Sequence, residues 1–286
     1  GNLRLAIDSG LQAYVTNLLE ERLVDPNGED AKVAAAVVMS PKTGEIYAIA
    51  SVPTYDNNIF SKPELHEAEF RQLLEDPRNP LLNQALSPVA PGSTFKLITA
   101  AAALQEGNIT PATGRNVTST IWEYVGEDGQ TYYFRDWRAH GYLDLEGAIA
   151  WSSNIYFYMA SCGIPDEGIR GLGKDIEQSA VTLGYYARAF GLGQRTGIDL
   201  VGGEAAGVIP NPEWRRRVVG DDWYLANTCF MGIGQGDVTA TPLQIALMTA
   251  VVANGGYLLR PHVVNEVLDA EGNIVERVET EWTRVP

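Results

Sequence analysis

The stretch that most constrains this chain runs Pro91-Gly92-Ser93-Thr94-Phe95-Lys96 and continues into Leu97, Ile98, Ala100, Ala101, Ala102, Ala103 and Leu104. Pro and Gly end whatever precedes them, and the Ala/Leu content that follows is that of a helix packed on most sides. Ser93 is therefore predicted at or near the start of a buried helix. Residues three apart on a helix share a face, about 5 to 6 Å apart at Cβ, which makes a hydroxyl and an amine neighbours. A serine hydroxyl attacks poorly until a base removes its proton, and a lysine becomes such a base only when burial or a nearby cation lowers its pKa. An apolar helix supplies the burial, and unpaired backbone N–H groups at its start can steady an anion forming on an attacked carbonyl. On its own the S-x-x-K pattern is weak evidence. It arises by chance roughly once in a chain of this length, most often as a helix cap beside a solvated lysine.

With 286 residues, 45% of them hydrophobic, the chain can bury a large core as one large domain or two intimately packed subdomains. Its net charge of −15 argues against nucleic acid or an anionic membrane as a partner found by long-range attraction, since both would be repelled. The sequence holds no run of about 18 apolar residues and no basic, apolar leader. Gly1 begins in mid-pattern, so the chain is expected to be a piece of a longer protein. Cys162 and Cys229 lack a C-x-x-C spacing; they read as small buried residues and say nothing about redox compartment.

Along the chain, Leu11, Val15, Leu18, Leu19 and Leu23 repeat at helical spacing behind a cap at Asp8 or Ser9. After a turn at Asp25-Pro26-Asn27-Gly28, two β-type runs, 33–39 and 45–51, joined by Ser40-Pro41-Lys42-Thr43-Gly44, predict a hairpin. A charged helix is predicted over 64–74. Residues 122–133 read as a surface hairpin or long loop, 144–159 as one helix, 176–190 as another, and 210–217 as a polar connection. Thr241 caps a helix with Pro242 at its first position, which stops at Asn254-Gly255-Gly256. Residues 262–268 and 274–278 read as strands.

Ser152-Ser153-Asn154 is a second polar group in an apolar context, between Ala148, Ile149, Ala150, Trp151 and Ile155, Tyr156, Phe157. Three consecutive polar residues in a buried stretch are costly without partners, and they read either as a helix start or self-satisfied kink, or as part of a site. S-x-x-K and S-x-N each occur once in this chain, in the order and separation a single active site requires.

With both motifs in place, the chain resembles the penicillin-binding proteins, whose S-x-x-K, S-x-N-type and K-T-G elements form one catalytic set. The resemblance covers nearly the whole chain: Leu5-Ala6-Ile7-Asp8 with Leu11-Gln12, Thr43-Gly44-Glu45-Ile46, Pro91-Gly92-Ser93, Gly234-Gln235-Gly236 and Asn254-Gly255-Gly256. Arg135-Asp136-Trp137, His140-Gly141 and Thr196-Gly197-Ile198-Asp199-Leu200 look most like the class B, elongation-type branch. The resemblance implies an α/β fold of the α+β type, penicillin-binding and serine β-lactamase-like, with a helical subdomain carrying both motifs on a mostly antiparallel sheet. Its expected division is a sheet part, 1–53 and 257–286, and a mainly helical part, 54–256.

The third motif, K-T-G on a strand after the Asn-Gly-Gly helix end, is expected and not found there. Lys42-Thr43-Gly44 spells it but precedes Ser93 and reads as turn chemistry, and Arg195-Thr196-Gly197 reads as a loop element. The chain is thus expected to be an incomplete D,D-transpeptidase domain, with a second polypeptide or segment supplying the K-T-G strand.

By resemblance, Ser93 attacks the penultimate D-alanine carbonyl of a peptidoglycan stem peptide, with Lys96 as general base. Ser152 passes the proton to the leaving amine, Asn154 binds the substrate amide and helps hold Lys96, and a β-lactam acylates the same serine. Asp136, Trp137 and His140 either line the substrate groove or belong to a loop held by ordinary hydrogen bonds; no metal or other cofactor is implied. The alternatives in view are a D,D-carboxypeptidase or serine β-lactamase of the same fold, and a non-catalytic scaffold of a cell-wall synthesis complex. The expected setting is the extracytoplasmic face of the bacterial membrane, with the full-length parent anchored there beside a cell-wall polymerase of the elongation machinery. Arg215-Arg216-Arg217 reads as a solvated run, and His66 and His262 as surface or strand residues.

Overall fold

A computed structural model of the chain describes residues 1–23, 32–61, 67–125, 129–164, 169–200 and 202–286. They divide into two units, Gly1–Pro88 with Arg195–Ala206 and Thr241–Val285, and Val89–Gln194 with Gly207–Ala240.

The first unit opens with β1 (Asn2–Leu5) and α1 (Ser9–Leu23), whose start is held by the Asp8 carboxylate accepting from the Leu11 N–H at 2.8 Å. Leu11, Val15, Leu19 and Leu23 are half-buried at helical spacing, and from the same side Gln12 hydrogen-bonds both the N–H and the C=O of Ile49. β2 (Ala34–Met39) and β3 (Ile46–Val52) form the antiparallel hairpin, with Val37 opposite Ile49. In β3, Ile46, Ala48, Ala50 and Val52 are buried and the residues between them only half so, the period of two of a strand with one face on a core. Lys42 stands exposed in the connecting turn. After α2 (Glu67–Glu75) the chain leaves this unit. The turn expected at 25–28, the start of the helix expected at 64, and His66 lie outside the described residues.

In the second unit a 3₁₀ turn, Gly92–Phe95, runs straight into α3 (Lys96–Gln105), with Phe95, Ile98, Ala102 and Ala103 fully buried. β4 (Arg115–Val117) is followed by the hairpin β5 (Ile121–Val125) and β6 (Thr131–Arg135), then by β7 (Gly141–Leu143), which returns to pair with β4. The single helix expected over 144–159 is two: α4 (Leu145–Ala150), capped by Asp144, and α5 (Asn154–Cys162), capped by Ser153. Between them Ser152 takes a φ of 52°, a left-handed conformation that a helix cannot contain.

β8 (Gly163–Ile164) pairs with β9 (Ile169–Arg170), and α6 (Ile176–Ala189) follows behind its Asp175 cap. Residues 210–217, expected as a connection, contribute instead to helix α7 (Pro212–Val218). Asn211 accepts from the Trp214 N–H, and Pro212 sits at the first position, where its missing N–H costs nothing. α8 (Leu225–Gly232) is joined to α5 by a disulfide between Cys162 and Cys229, which corrects the reading of both as simple buried residues. No spacing rule reaches across the 67 residues that separate them.

The chain then returns to the first unit through α9 (Pro242–Ala253), which begins in a capping box between Thr241 and Gln244. β10 (Tyr257–Leu259), β11 (Val264–Leu268), β12 (Ile274–Arg277) and β13 (Trp282–Arg284) follow. β11 lies between β1 and β12, all antiparallel, and β10 pairs with β13. Ile46, Leu86, Ile198, Leu243 and Val263 form a buried core in this unit. Asp199 ties its connection down by accepting from the Val263 and Val264 N–H groups at 2.7 and 2.9 Å. The mixed α/β class, with antiparallel strands drawn from both chain ends, is the one the sequence implied.

Candidate active site

Ser93 is exposed, one 3₁₀ turn ahead of Lys96, and its carbonyl accepts the Lys96 N–H. The α-helix thus starts three residues later than expected. Residues three apart still eclipse in a 3₁₀ turn, so the pair keeps a common side. The turn is fixed from behind: Gly92 donates its N–H to Gly234 O at 2.9 Å, and a Cβ on Gly234, whose φ is 69°, would lie 2.3 Å from Gly92 O. Only glycine allows the Gly234-Gln235-Gly236 loop to sit that close.

Lys96 is 3% exposed. Its Nζ donates to Ser152 O at 2.8 Å, Ser152 Oγ at 3.1 Å and Asn154 Oδ1 at 2.7 Å, and sits 5.7 Å from the centre of the Phe157 ring. Among the described residues these are all of its hydrogen bonds; none goes to Ser93 Oγ. Burial pulls the Lys96 ammonium down to about 8, with the negative charge of Asp136 opposing the shift. At pH 7 roughly a tenth of such a lysine is neutral, against roughly one part in three thousand for an unperturbed one. The helix start that the sequence reading kept open at Ser152-Ser153-Asn154 brings Ser152 O, Ser152 Oγ and Asn154 Oδ1 to one point. A strained, left-handed serine at such a place is backbone energy spent on orientation.

Asp136 is part of the support of this arrangement. Its carboxylate accepts from Ser153 Oγ at 2.7 Å, from the Ile155 N–H at 3.1 Å and from the Trp137 N–H at 2.9 Å. Burial alone would raise this carboxyl. The hydrogen bonds from Ser153 and from the backbone of Ile155, Asn154 and Trp137 outweigh burial and hold it below the ordinary value. Asn154 is fixed in turn by donating from Nδ2 to Arg135 O at 3.2 Å.

Of the three residues that sequence reading left between groove and loop, Asp136 is buried beneath the Ser153 cap, while Trp137 is 59% exposed. The His140 ring is buried against Asp136, with Nε2 3.4 Å from Oδ1 and edge-on to Trp137, and neither ring nitrogen has a hydrogen-bond partner among the described residues. Ser153, named in the polar group without a role at the site, is buried, caps α5 and donates to Asp136. Among the described residues no group of three or more His, Cys, Asp or Glu side chains is placed to hold a metal ion.

The chain is similar to several known proteins. Residues 34–286 match the penicillin binding protein transpeptidase domain family. The chain is 34% identical over 266 residues to the peptidoglycan D,D-transpeptidase MrdA of Acinetobacter baumannii, covering 92% of this chain and 35% of that protein. It is 33% identical over 269 residues to MrdA of Escherichia coli K12, covering 92% of this chain and 37% of that protein. The chain therefore spans a little over a third of these relatives' length. Among solved structures it is similar to a chain of a peptidoglycan synthase complex that coordinates polymerization and crosslinking, with a TM-score of 0.78 and 35% identity over 99% of this chain and 46% of that one. It is also similar to penicillin-binding protein A of M. tuberculosis in an imipenem acyl-enzyme complex, with a TM-score of 0.78 and 26% identity over 100% of this chain and 59% of that one. On the match over residues 34–286, and on relatives more than 30% identical across nine-tenths of its length, this chain belongs to the penicillin binding protein transpeptidase domain family.

Proposed function

We propose that the chain is part of a serine D,D-transpeptidase that cross-links peptidoglycan stem peptides through an acyl-enzyme on Ser93 and is acylated there by β-lactams. The observation that carries this reading is Lys96, buried, held by Ser152 and Asn154, and lowered to about 8. Neutral Lys96 accepts the Ser93 hydroxyl proton as Oγ bonds to the penultimate D-alanine carbonyl carbon, and the Ser93 N–H steadies the oxyanion. The peptide C–N bond then breaks, and the departing D-alanine nitrogen takes a proton relayed from Lys96 through Ser152 Oγ. An amine from a neighbouring stem attacks the ester, forms the new amide and returns Ser93 to its hydroxyl. Covalent labelling by a fluorescent penicillin tests the assignment: Ser93→Ala should abolish it, and equal labelling of that variant would sink the reading.

Two supports bear on setting and completeness. The disulfide between Cys162 and Cys229 suits an oxidising compartment, in keeping with an extracytoplasmic site of action. No helix among the described residues is long and apolar enough to cross a membrane. Among the described residues β2 pairs only with β3, and beside its outer edge Val37, Val38 and Met39 line a groove with Ile245, Ala246 and Thr249. An open edge of this kind is a template for further strands, and we read it as the place where a segment or second polypeptide bearing the K-T-G strand completes the sheet. Relatives in a peptidoglycan synthase complex, and PBP2 of Helicobacter pylori with MreC, support a cell-wall polymerase of the elongation machinery as partner.

A further inference from the structure

Beside the Ser152 turn lies a cation that the mechanism above does not use. Arg138 has its guanidinium carbon 4.5 Å from the Trp151 ring and 5.3 Å from the Trp137 ring. The two indoles are themselves fixed to one another, because Trp137 Nε1 donates to Trp151 O at 3.0 Å. Both rings are open to solvent, 59% and 49% exposed. Trp151 immediately precedes Ser152, whose carbonyl and hydroxyl hold Lys96, and Trp137 immediately follows Asp136. The stacked cation is therefore built into the same turn as the second motif.

In a chain of net charge −15 acids are plentiful, and several arginines pair with them: Arg78 with Asp76, Arg216 with Glu177, Arg260 with Glu281, and Arg215 with both Asp221 and Asp237. Arg138 is in no ion pair among the described residues. Its Nε donates to the neighbouring Ala139 O at 3.3 Å, and among the described residues neither terminal nitrogen has a hydrogen-bond acceptor. A guanidinium stacked on aromatic faces is held in one plane and presents a two-donor edge, the shape that matches a carboxylate bidentately; a lysine could not do so.

We infer that Arg138, held between Trp137 and Trp151, binds a side-chain carboxylate of the stem peptide, away from the reacting D-alanyl bond, and so selects acidic stems over neutral ones. This rests on the transpeptidase reading of the site, and it assigns a specificity role to a residue outside both motifs.

The test uses two synthetic pentapeptides ending in D-alanyl-D-alanine that differ only in the side chain of their third residue, a diamino diacid with its carboxyl free or amidated. Their dissociation constants are measured by calorimetry on the chain carrying Ser93→Ala, which prevents turnover. The free acid should bind about tenfold more tightly. Adding Arg138→Gln should bring the two peptides to within about twofold, and Arg138→Glu should reverse the order. Arg138→Lys, which keeps the charge and lacks the planar fork, should retain only part of the preference. A preference unchanged by Arg138→Gln overturns the inference, and so does the absence of any preference in the Ser93→Ala chain, whether both peptides bind equally or neither binds. Penicillin labelling of the unmodified chain is scored separately. Its failure with the peptide preference intact sinks the acyl-enzyme reading of Ser93 and leaves the Arg138 assignment standing.

Discussion

In the second unit Lys96 is 3% exposed and donates hydrogen bonds to Ser152 and Asn154, whereas in the first unit Lys42 stands exposed in the turn between β2 and β3. Each belongs to a string of letters that reads as a family motif, S-T-F-K and K-T-G. Around Lys42 the contacts are those of a turn: the Lys42 and Thr43 N–H groups both donate to Ser40 Oγ, and Thr43 Oγ1 reaches Glu45. Around Lys96 they are side-chain acceptors brought from 56 and 58 residues away. A motif carries chemistry when distant residues converge on it. Spelling alone cannot supply that convergence.

The largest effect expected from breaking this contrast is at Lys96 itself. Lys96→Ala should lower the rate of Ser93 acylation by a fluorescent penicillin by about 10²- to 10⁴-fold, the range for loss of a positioned base, measured under single-turnover conditions. Next comes Asp136→Asn, which keeps the shape and removes the charge. It should cost about 1–3 kcal/mol in denaturant unfolding through weakened or unpaired buried donors and lower the high-pH plateau of acylation by about 10- to 100-fold through misplacement of the Ser152 turn. Because the charge of Asp136 raises the Lys96 pKa, its removal should also move the pH midpoint below about 8.

In the unaltered chain the sign is fixed by the same lysine. Protonated below its pKa, Lys96 cannot accept a proton, so acylation should fall about tenfold per unit below that point and level off above pH about 8. A profile flat from pH 6 to 9 would remove Lys96 from the role of base. The smallest effect is at Lys42, where Lys42→Ala should change acylation by less than about twofold, as substitutions on exposed turns do. A large loss there would erase the contrast between the two lysines.

How much of this was legible beforehand follows from range. Patterns that close within a few residues could be read directly: the alternation in β3, the Thr241 and Pro242 helix start, and the spacing of Ser93 to Lys96. The α1 stripe at Leu11, Val15, Leu19 and Leu23 belongs with them, although it is half-buried and not part of a deep core. Features that need a distant partner could not be read. Ser152 leaves the helix because of where its carbonyl and hydroxyl must point, and nothing local to Ala150 or Trp151 announces a positive φ at a serine. Ser153 is buried with its hydroxyl satisfied by Asp136, 17 residues earlier, whose carboxylate accepts its hydrogen bond. The disulfide required knowing that α5 and α8 are neighbours.

The pairing of β1 with β11 has a consequence for how the polypeptide is made. Leu5 meets Val264, so β1 waits for β11, which is made about 260 residues later. At about 5 to 20 residues per second of synthesis, that interval is on the order of tens of seconds. The helices between Lys96 and Gly232 have all appeared by then, so the unit bearing Ser93 can settle while the other still trails an unmated ribbon. For this unit the vulnerable moment comes before β1 meets β11, and that unmade pairing is where a chaperone or a protease would find it.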